Sequence, residues 1–262
     1  MVMTPSRRRL VKRAFTMTET LVVCGIIGVL ASMAILGISS ARKKRNLVVC
    51  NNNVKQWGYS WEMYTQDNDQ AFPDGQMPHW QSGNWMAGLK DYFESGKKSM
   101  ETCPFANHLR PGQNHGGGKF AHKIEGGKRA SYGFNYWLYN PPSNTGTMWG
   151  QPVTEFWRSS LELAGTPPMD VPMLSDAMWR GGFPVATDRP APVADGWRGS
   201  TTPGMWNFAI DRHGGGVYVL FLDAHIEKYY IPGLWMMKWN RNFDTGNMPE
   251  WPSWVGQSEG LF

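Results

Sequence analysis

The stretch that decides the fold runs from Phe15 to Ile38 and reads FTMTETLVVCGIIGVLASMAILGI. Its only charged residue is Glu19, and an apolar run of 18 residues extends from Leu21 to Ile38. A helix of that length rises about 27 Å at 1.5 Å per residue, which is enough for a thin or locally adapted bilayer. A carboxylate that enters the bilayer costs roughly 2.5–3.5 kcal/mol on insertion scales. We therefore expect Glu19 to meet a positively charged partner.

A basic leader precedes this stretch and contains Arg7, Arg8, Arg9, Lys12 and Arg13. Two simple alternatives share that pattern. A secretory signal peptide needs a small-residue cleavage site after its apolar core, and the weak candidates here are Ser32, Ala34 and residues 39–41. An uncleaved single-span anchor is the second alternative. Neither accounts for Glu19 or for the FT-x-x-E spacing.

The leader, Phe15 and the acid at the fifth position counted from Phe15 resemble the prepilin family, which comprises type IV pilins and type II secretion pseudopilins. In that family a membrane-embedded prepilin peptidase removes the leader on the cytoplasmic side and methylates the new N-terminal Phe. The resemblance implies processing between Ala14, where the family usually has Gly, and Phe15. It also implies that Glu19 neutralises the new α-amino group on an adjoining subunit during assembly.

Beyond the apolar run, the hydrophobic residues lie on one helical face. They recur at alternating steps of three and four residues: Leu47, Cys50, Val54, Trp57, Trp61 and Tyr64. This periodicity predicts a helix that packs one side against a core. We expect one long helix from about Phe15 to Gln66, with its first half in lipid. Pro73 and Gly75 prevent its continuation.

These patterns predict an α+β fold, in which the long N-terminal helix packs its second half against an antiparallel β-sheet, as in pilins. Residues 1–14 form the leader, 15–45 the transmembrane and assembly half of the helix, and 46–262 an extracytoplasmic globular pilin-like domain. The segments Val217–Leu222 and His225–Tyr230 predict a β-hairpin. The intervening chain is poorly patterned, with short helices expected at Trp85–Phe93 and Glu155–Leu163.

The hairpin carries a second resemblance. The sequence RHGGGVYVLFLDAHIEKY is similar to the C-terminal His-x9-Asp-Gly signature of a large group of pilin-like proteins, with His213 and Asp223 in the two named positions. Ala224 replaces the Gly, and a Cβ disfavours the positive φ of a two-residue turn, so another turn type or a bulge is expected. Weaker matches to the same group are Cys50–Pro73, Cys103-Pro104, Ser131–Asn135 and Pro172–Asp176.

Charge and cysteine content restrict the function classes. The net charge is +5, but removing the five basic leader residues from the 26 Lys and Arg leaves 21, equal to the 21 Asp and Glu. A neutral mature protein lacks the surplus of positive charge that nucleic-acid binding needs. Cys24 is most simply an apolar residue of the span. Cys50 and Cys103 could form a disulfide outside the cytoplasm, but the sequence does not show whether they are close enough.

No enzymatic role, cofactor or metal is predicted. Ser131, His213 and Asp223 suggest a triad, and Asp211, His213 and His225 suggest a metal site, yet neither set has a supporting catalytic motif. Calcium is weakly supported, because Asp67, Asp69 and Asp74 lack the EF-hand pattern. The seven-residue repeat of histidines falls in Gly- and Pro-broken loops, at His108, His115 and His122.

The leading expectation is a structural subunit of a type IV pilus-like or type II secretion-like filament. Its expected partners are other copies of itself, prepilin peptidase, the membrane, and an inner-membrane assembly platform with its ATPase. The expected location is the inner membrane, with a single span, the N-terminus cytoplasmic and the domain periplasmic, or extracellular or periplasmic in a filament. The alternative is an envelope-anchored carbohydrate-binding or adhesive module that uses Trp137, Trp149, Trp157, Trp179 and Trp197.

Overall fold

The computed structural model describes residues 16–76, 80, 84–93, 100–196 and 202–257. The chain divides into two compact units, Met1–Arg45 and Asn46–Phe262. One helix, α1, runs from Met17 to Asp67. This helix and the strands of the second unit together make the fold α+β.

Between Leu21 and Met33, α1 is apolar on all sides. Every residue from Thr16 to Met33 is exposed, and the large hydrophobic ones are Met17, Leu21, Val22, Val23, Ile26, Ile27, Val29, Leu30 and Met33. Helix α1 is long and apolar enough to cross a membrane, by length and composition alone. A helix that is hydrophobic all round needs an apolar environment on every side, either lipid or other protein.

From Asn46 onward, α1 buries the face that its periodicity predicts. Cys50, Val54, Trp57, Trp61 and Tyr64 are all at most 6% exposed, and only Leu47 of the predicted set is partly exposed. After the helix ends at Asp67, the main chain turns sharply with positive φ at two residues, Asp69 and Gln70.

The described part of the second unit contains nine short strands: β1 (His122–Lys123), β2 (Arg129–Ala130), β3 (Tyr132–Asn135), β4 (Thr147–Met148), β5 (Gln151–Pro152), β6 (Pro172–Asp176), β7 (Gly181–Gly182), β8 (Gly216–Phe221) and β9 (Ile226–Tyr230). Five of them form a sheet in the order β7-β3-β6-β8-β9. The pairs β3–β6, β6–β8 and β8–β9 are antiparallel, whereas β3–β7 is parallel. The strands β1–β2 and β4–β5 form two separate antiparallel pairs.

Short helical turns connect these strands. Helix α2 covers Trp85–Gly88, and the 3₁₀ turns are Lys90–Tyr92, Glu125–Gly127, Val153–Glu155, Pro168–Asp170, Gly204–Asn207, Ile231–Met236 and Ser253–Gln257. The helix predicted at Trp85–Phe93 is therefore only partly formed. The helix predicted at Glu155–Leu163 is wrong, because its backbone bonds to distant segments: Trp157 N–H donates to the Trp137 carbonyl and Ser160 N–H to the Gln70 carbonyl.

Aromatic side chains supply much of the core. Among the described residues, eight tryptophans are at most 5% exposed: Trp57, Trp61, Trp80, Trp85, Trp137, Trp157, Trp235 and Trp239. The Phe134 ring of β3 lies 5.0 Å from Trp61 and 5.8 Å from Trp85, centroid to centroid. Each such ring buries a large apolar area, so the high Trp content serves mainly to fill the core.

Candidate functional site

The N-terminal region of α1 begins with a capping box. The predicted processing residues Ala14 and Phe15 lie outside the described residues. Thr16 donates to Glu19 Oε2 twice at 2.8 Å, from its main-chain N–H and from its hydroxyl. The Glu19 N–H donates back to Thr16 Oγ1 at 3.3 Å. This reciprocal arrangement satisfies backbone donors that a helix N-terminus leaves unpaired.

The capping box gives Glu19 a local role that the sequence interpretation missed, although T-x-x-E before an apolar run is its signature. It directs the carboxylate back toward Thr16, the residue that follows Phe15 in the chain. Both hydrogen bonds that Thr16 donates to this carboxylate go to Oε2, and Oε1 accepts none from the described residues. Within the described residues, Oε1 is therefore the carboxylate oxygen that the capping box does not use.

The two residues of the C-terminal signature do not contact each other. His213 lies with its Nε2 3.0 Å from Asp176 Oδ2, whereas Asp223 Oδ1 lies 2.5 Å from His225 Nδ1. Asp223 Oδ1 also accepts the His225 main-chain N–H at 3.1 Å. His213 is buried and Asp223 is at the exposed tip of the β8–β9 hairpin. Each residue therefore fixes a different part of the hairpin.

Asp176, which the sequence interpretation did not single out, is the partner of His213. Its carboxylate is fully buried, accepts the Tyr218 N–H at 2.9 Å through Oδ2, and lies 3.1 Å from Arg212 Nη1 through Oδ1. Burial raises the pKa of Asp176, but His213, Arg212 and the Tyr218 N–H together outweigh it and hold the pKa below its usual value. The carboxylate is thus a buried anion with donors on both oxygens, which is the condition for its burial.

Arg212 joins several loops to this carboxylate. Its guanidinium donates to the carbonyls of Gly117 at 2.6 Å, Gly118 at 3.2 Å and Ala177 at 3.0 Å, and also to the Ser131 carbonyl. A guanidinium carries five N–H donors, and here they are directed at the carbonyls of irregular backbone. Arg212 therefore supplies hydrogen bonds that secondary structure does not provide in this region.

The imidazole of His213 is enclosed by two rings and a sulfur. The Phe105 and Tyr218 rings lie 5.1 and 5.0 Å away, centroid to centroid, and Cys103 Sγ lies 3.8 Å from Nε2. Cys103 is bonded to Cys50 of α1, with 5.2 Å between the Cα atoms. We call the set Cys50, Cys103, Asp176, Arg212 and His213 the His213 cluster.

The His213 cluster offers little for catalysis or metal binding. Ser131 Oγ donates to the Ala106 carbonyl at 2.6 Å, so the suggested triad is not assembled. Among the described residues, the only group of three metal ligands consists of Cys50, Cys103 and His213. Its two sulfurs are bonded to each other, and metal binding needs thiolates. The predicted loop histidines and Asp67, Asp69 and Asp74 form no such group in the described part of the chain.

The turn between β8 and β9 accommodates Ala224 as a three-residue loop. Ala224 N–H donates to the Phe221 carbonyl at 3.0 Å, and Phe221 N–H donates to the His225 carbonyl at 3.1 Å. Ala224 has φ +67°. This is the pattern of a turn followed by a left-handed bulge residue, a position that favours Gly. The turn is thus of the bulge type that the sequence allows, although Ala224 still adopts the positive φ that its Cβ disfavours.

The tryptophans of the carbohydrate-binding alternative do not form one exposed surface. Trp137 and Trp157 are buried, and their indole N–H groups donate to the carbonyls of Pro184 and Trp239. Trp149 is 38% exposed and Trp179 is partly buried, whereas Trp197 lies outside the described residues. Trp137 and Trp157 therefore belong to the core, and a glycan cannot reach them.

No family model, no curated protein and no solved structure matches this chain.

Proposed function

We propose that the chain is a structural subunit of a type IV pilus-like or type II secretion-like filament, assembled through its N-terminal helix. The observation that supports this most is the position of Glu19. The carboxylate is held in the first turn of α1 with one oxygen free of hydrogen bonds to described residues, and an exposed apolar helix follows it. A single-span anchor would need only the apolar helix.

In the proposed mechanism, prepilin peptidase cleaves before Phe15 and leaves a charged α-amino group there. Glu19 of an incoming subunit pairs with that amine in the low-dielectric centre of the filament, where the ion pair favours one register. The apolar side chains that follow then pack against neighbouring copies in place of lipid. Because the contact is head-to-tail, repeated addition produces an open helix and not a closed ring.

The proposed location is the inner membrane, with the N-terminus in the cytoplasm and the Asn46–Phe262 unit in the periplasm, until the filament forms there or outside the cell. The Cys50–Cys103 disulfide supports this placement, since disulfides persist in oxidising compartments. An inner-membrane platform and a cytoplasmic ATPase, which this chain does not supply, would drive assembly. The His213 cluster has a structural and non-catalytic role in this proposal.

Two substitutions at one position separate the charge from the cap. Glu19→Gln removes the charge but retains a residue that completes a capping box, whereas Glu19→Ala removes both. We expect both variants to insert into the membrane and to lose most filament assembly, as measured by carbonate extraction and by electron microscopy of sheared filaments. The matched control is Glu62→Gln, which removes an exposed carboxylate from the packed half of α1.

Normal filaments from Glu19→Gln would contradict the ion-pair mechanism. Intact-mass and N-terminal analysis of membrane-derived protein tests processing separately, and a chain that starts at methylated Phe15 is expected. Native protein that keeps Met1 would refute the prepilin assignment.

A further inference from the structure

A cleft in the second unit has no role in the proposed filament mechanism. It has a volume of about 630 Å³ and opens between residues 186–190 and residues 247–252. This volume is within the 300–1,000 Å³ of typical small-molecule sites. Its lining combines one large aromatic ring with charged and polar side chains, namely Thr187, Asp188, Arg189, Asn247, Glu250 and Trp251.

Hydrogen bonds tie the two walls of the cleft together. Asn247 Nδ2 donates to the Ala186 carbonyl at 3.0 Å, and Trp254 Nε1 donates to the Ala191 carbonyl at 2.9 Å. Both bonds join the C-terminal segment to the loop that forms the opposite wall. These bonds within the protein fix the shape of the cleft, which reduces the entropy cost of binding.

The aromatic ring and one carboxylate in the cleft are also held in place. Trp251 lies edge-to-face on the buried Trp235 at 5.2 Å, and it precedes Pro252, which restricts its backbone. Trp235 Nε1 donates to the Asp188 carbonyl at 3.1 Å. The Asp188 carboxylate accepts two main-chain N–H groups at Oδ2, from Val185 at 3.1 Å and Met205 at 2.9 Å.

The remaining charged groups are available to a ligand. Arg189 and Glu250 are exposed, and neither forms an ion pair within the described residues. With Asp188, the cleft has two acids and one base, which does not favour a polyanion. Its charged and polar lining does not favour a purely apolar ligand either. The lining instead suits a neutral molecule with many hydroxyl groups and a small apolar face.

We propose that this cleft binds a neutral saccharide unit, with its C–H face on Trp251 and its hydroxyl groups hydrogen-bonded to Asp188, Arg189 and Glu250. The face of the Trp251 ring provides the apolar contact. The planar polar groups of Asp188, Arg189 and Glu250 provide the hydrogen bonds. The site differs from the tryptophans considered in the sequence, because Trp251 was not among them. It adds a binding function to the subunit and is independent of Glu19.

The test uses the full chain in a zwitterionic detergent without a sugar headgroup, because a maltoside would compete. Binding of cellotetraose, chitotetraose and maltotetraose is measured by calorimetry and by saturation-transfer NMR. We expect at least one of them to bind at millimolar concentration or below. Trp251→Ala should weaken that binding at least tenfold, whereas Tyr59→Ala, which removes an exposed aromatic side chain outside the cleft lining, should leave it unchanged.

Arg189→Ala, which changes an exposed side chain, should also weaken binding and guards against a folding defect in Trp251→Ala. If none of the three sugars binds, the proposal is overturned. It is also overturned if Trp251→Ala and Arg189→Ala both bind sugar as tightly as the wild type does. So would tight binding of inorganic phosphate that depends on Arg189 and displaces the sugar. Filament assembly by Trp251→Ala is expected to be normal, so failure of this site and failure of the filament role are distinguishable.

Discussion

Replacing Ala224 by glycine should stabilise the protein. Ala224 has φ +67°, and its side chain is exposed at the tip of the β8–β9 hairpin. A left-handed conformation costs an L-residue with a Cβ roughly 1–2 kcal/mol. Glycine avoids that cost but loses about 0.5–1 kcal/mol more through the conformational entropy of the unfolded chain. Because the methyl group is exposed, its removal forfeits little packing.

The difference leaves a net gain of about 0–1.5 kcal/mol for Ala224→Gly, with a central value of about 0.75 kcal/mol. For a chain of this size, the central value corresponds to a rise in Tm of roughly 1.5–3 °C. Thermal unfolding of the full chain in detergent, followed by near-ultraviolet circular dichroism, measures the shift through the buried tryptophans.

Two other alanines provide matched controls for this prediction. Ala164 is also exposed, with φ +51°, so Ala164→Gly should give a similar gain. Ala87 lies in helix α2, where glycine should only destabilise, by about 0.5–1 kcal/mol. If Ala224→Gly lowers Tm as Ala87→Gly does, the left-handed turn is not strained and this reasoning is wrong.

Three further predictions concern the helix cap and the His213 cluster. Thr16→Ala removes the cap but keeps the charge of Glu19, so it should cost about 0.5–2 kcal/mol of local helix stability, measured as faster amide exchange in the first turn. Filaments should still form. If Thr16→Ala loses filaments as Glu19→Gln does, the cap and the charge do not have separate roles. Asp176→Asn should destabilise by about 3–5 kcal/mol in urea titrations, since it leaves Arg212 without its anion. Because the folded-state pKa of Asp176 is lowered, the ionised carboxylate contributes fully to stability above about pH 5, and this contribution falls as the pH drops through that pKa. The free energies of unfolding of the wild type and of Asp176→Asn should therefore converge in acid. A difference between them that does not change with pH would refute this. Joint replacement of Cys50 and Cys103 by serine opens a link between residues 53 apart and should cost about 4 kcal/mol, compared with wild type under non-reducing conditions.

The elements that the sequence predicted well are those with local periodicity. The buried face of α1 follows from steps of three and four residues, and the hairpin follows from two β-rich segments around Asp223. Both patterns are set by neighbours along the chain. The capping box is equally local and could have been found from Thr16 and Glu19 alone.

The elements that the sequence did not predict depend on distant contacts. Asp176 and Arg212 are 36 positions apart, and nothing in the spacing indicates that they meet. The segment around Trp157 has helix-forming residues, yet its backbone bonds to Trp137 and its side chain is buried. Tertiary hydrogen bonds and aromatic burial outweigh the small helix propensities there.

The spacing of His213 and Asp223 corresponds to the length of strand β8. His213 enters the core just before β8 and is fixed by Asp176 on the neighbouring strand β6. Asp223 follows the end of β8 and holds the turn through the His225 N–H. The nine residues between them are Gly214, Gly215, the six residues of β8 and Leu222, so the separation is set mainly by strand length. A shift of one residue would place the inward side chains of β8 on the opposite face of the sheet. The signature therefore specifies a register, with one end held by the buried contact between His213 and Asp176 and the other by a turn, and it needs no reaction to explain it.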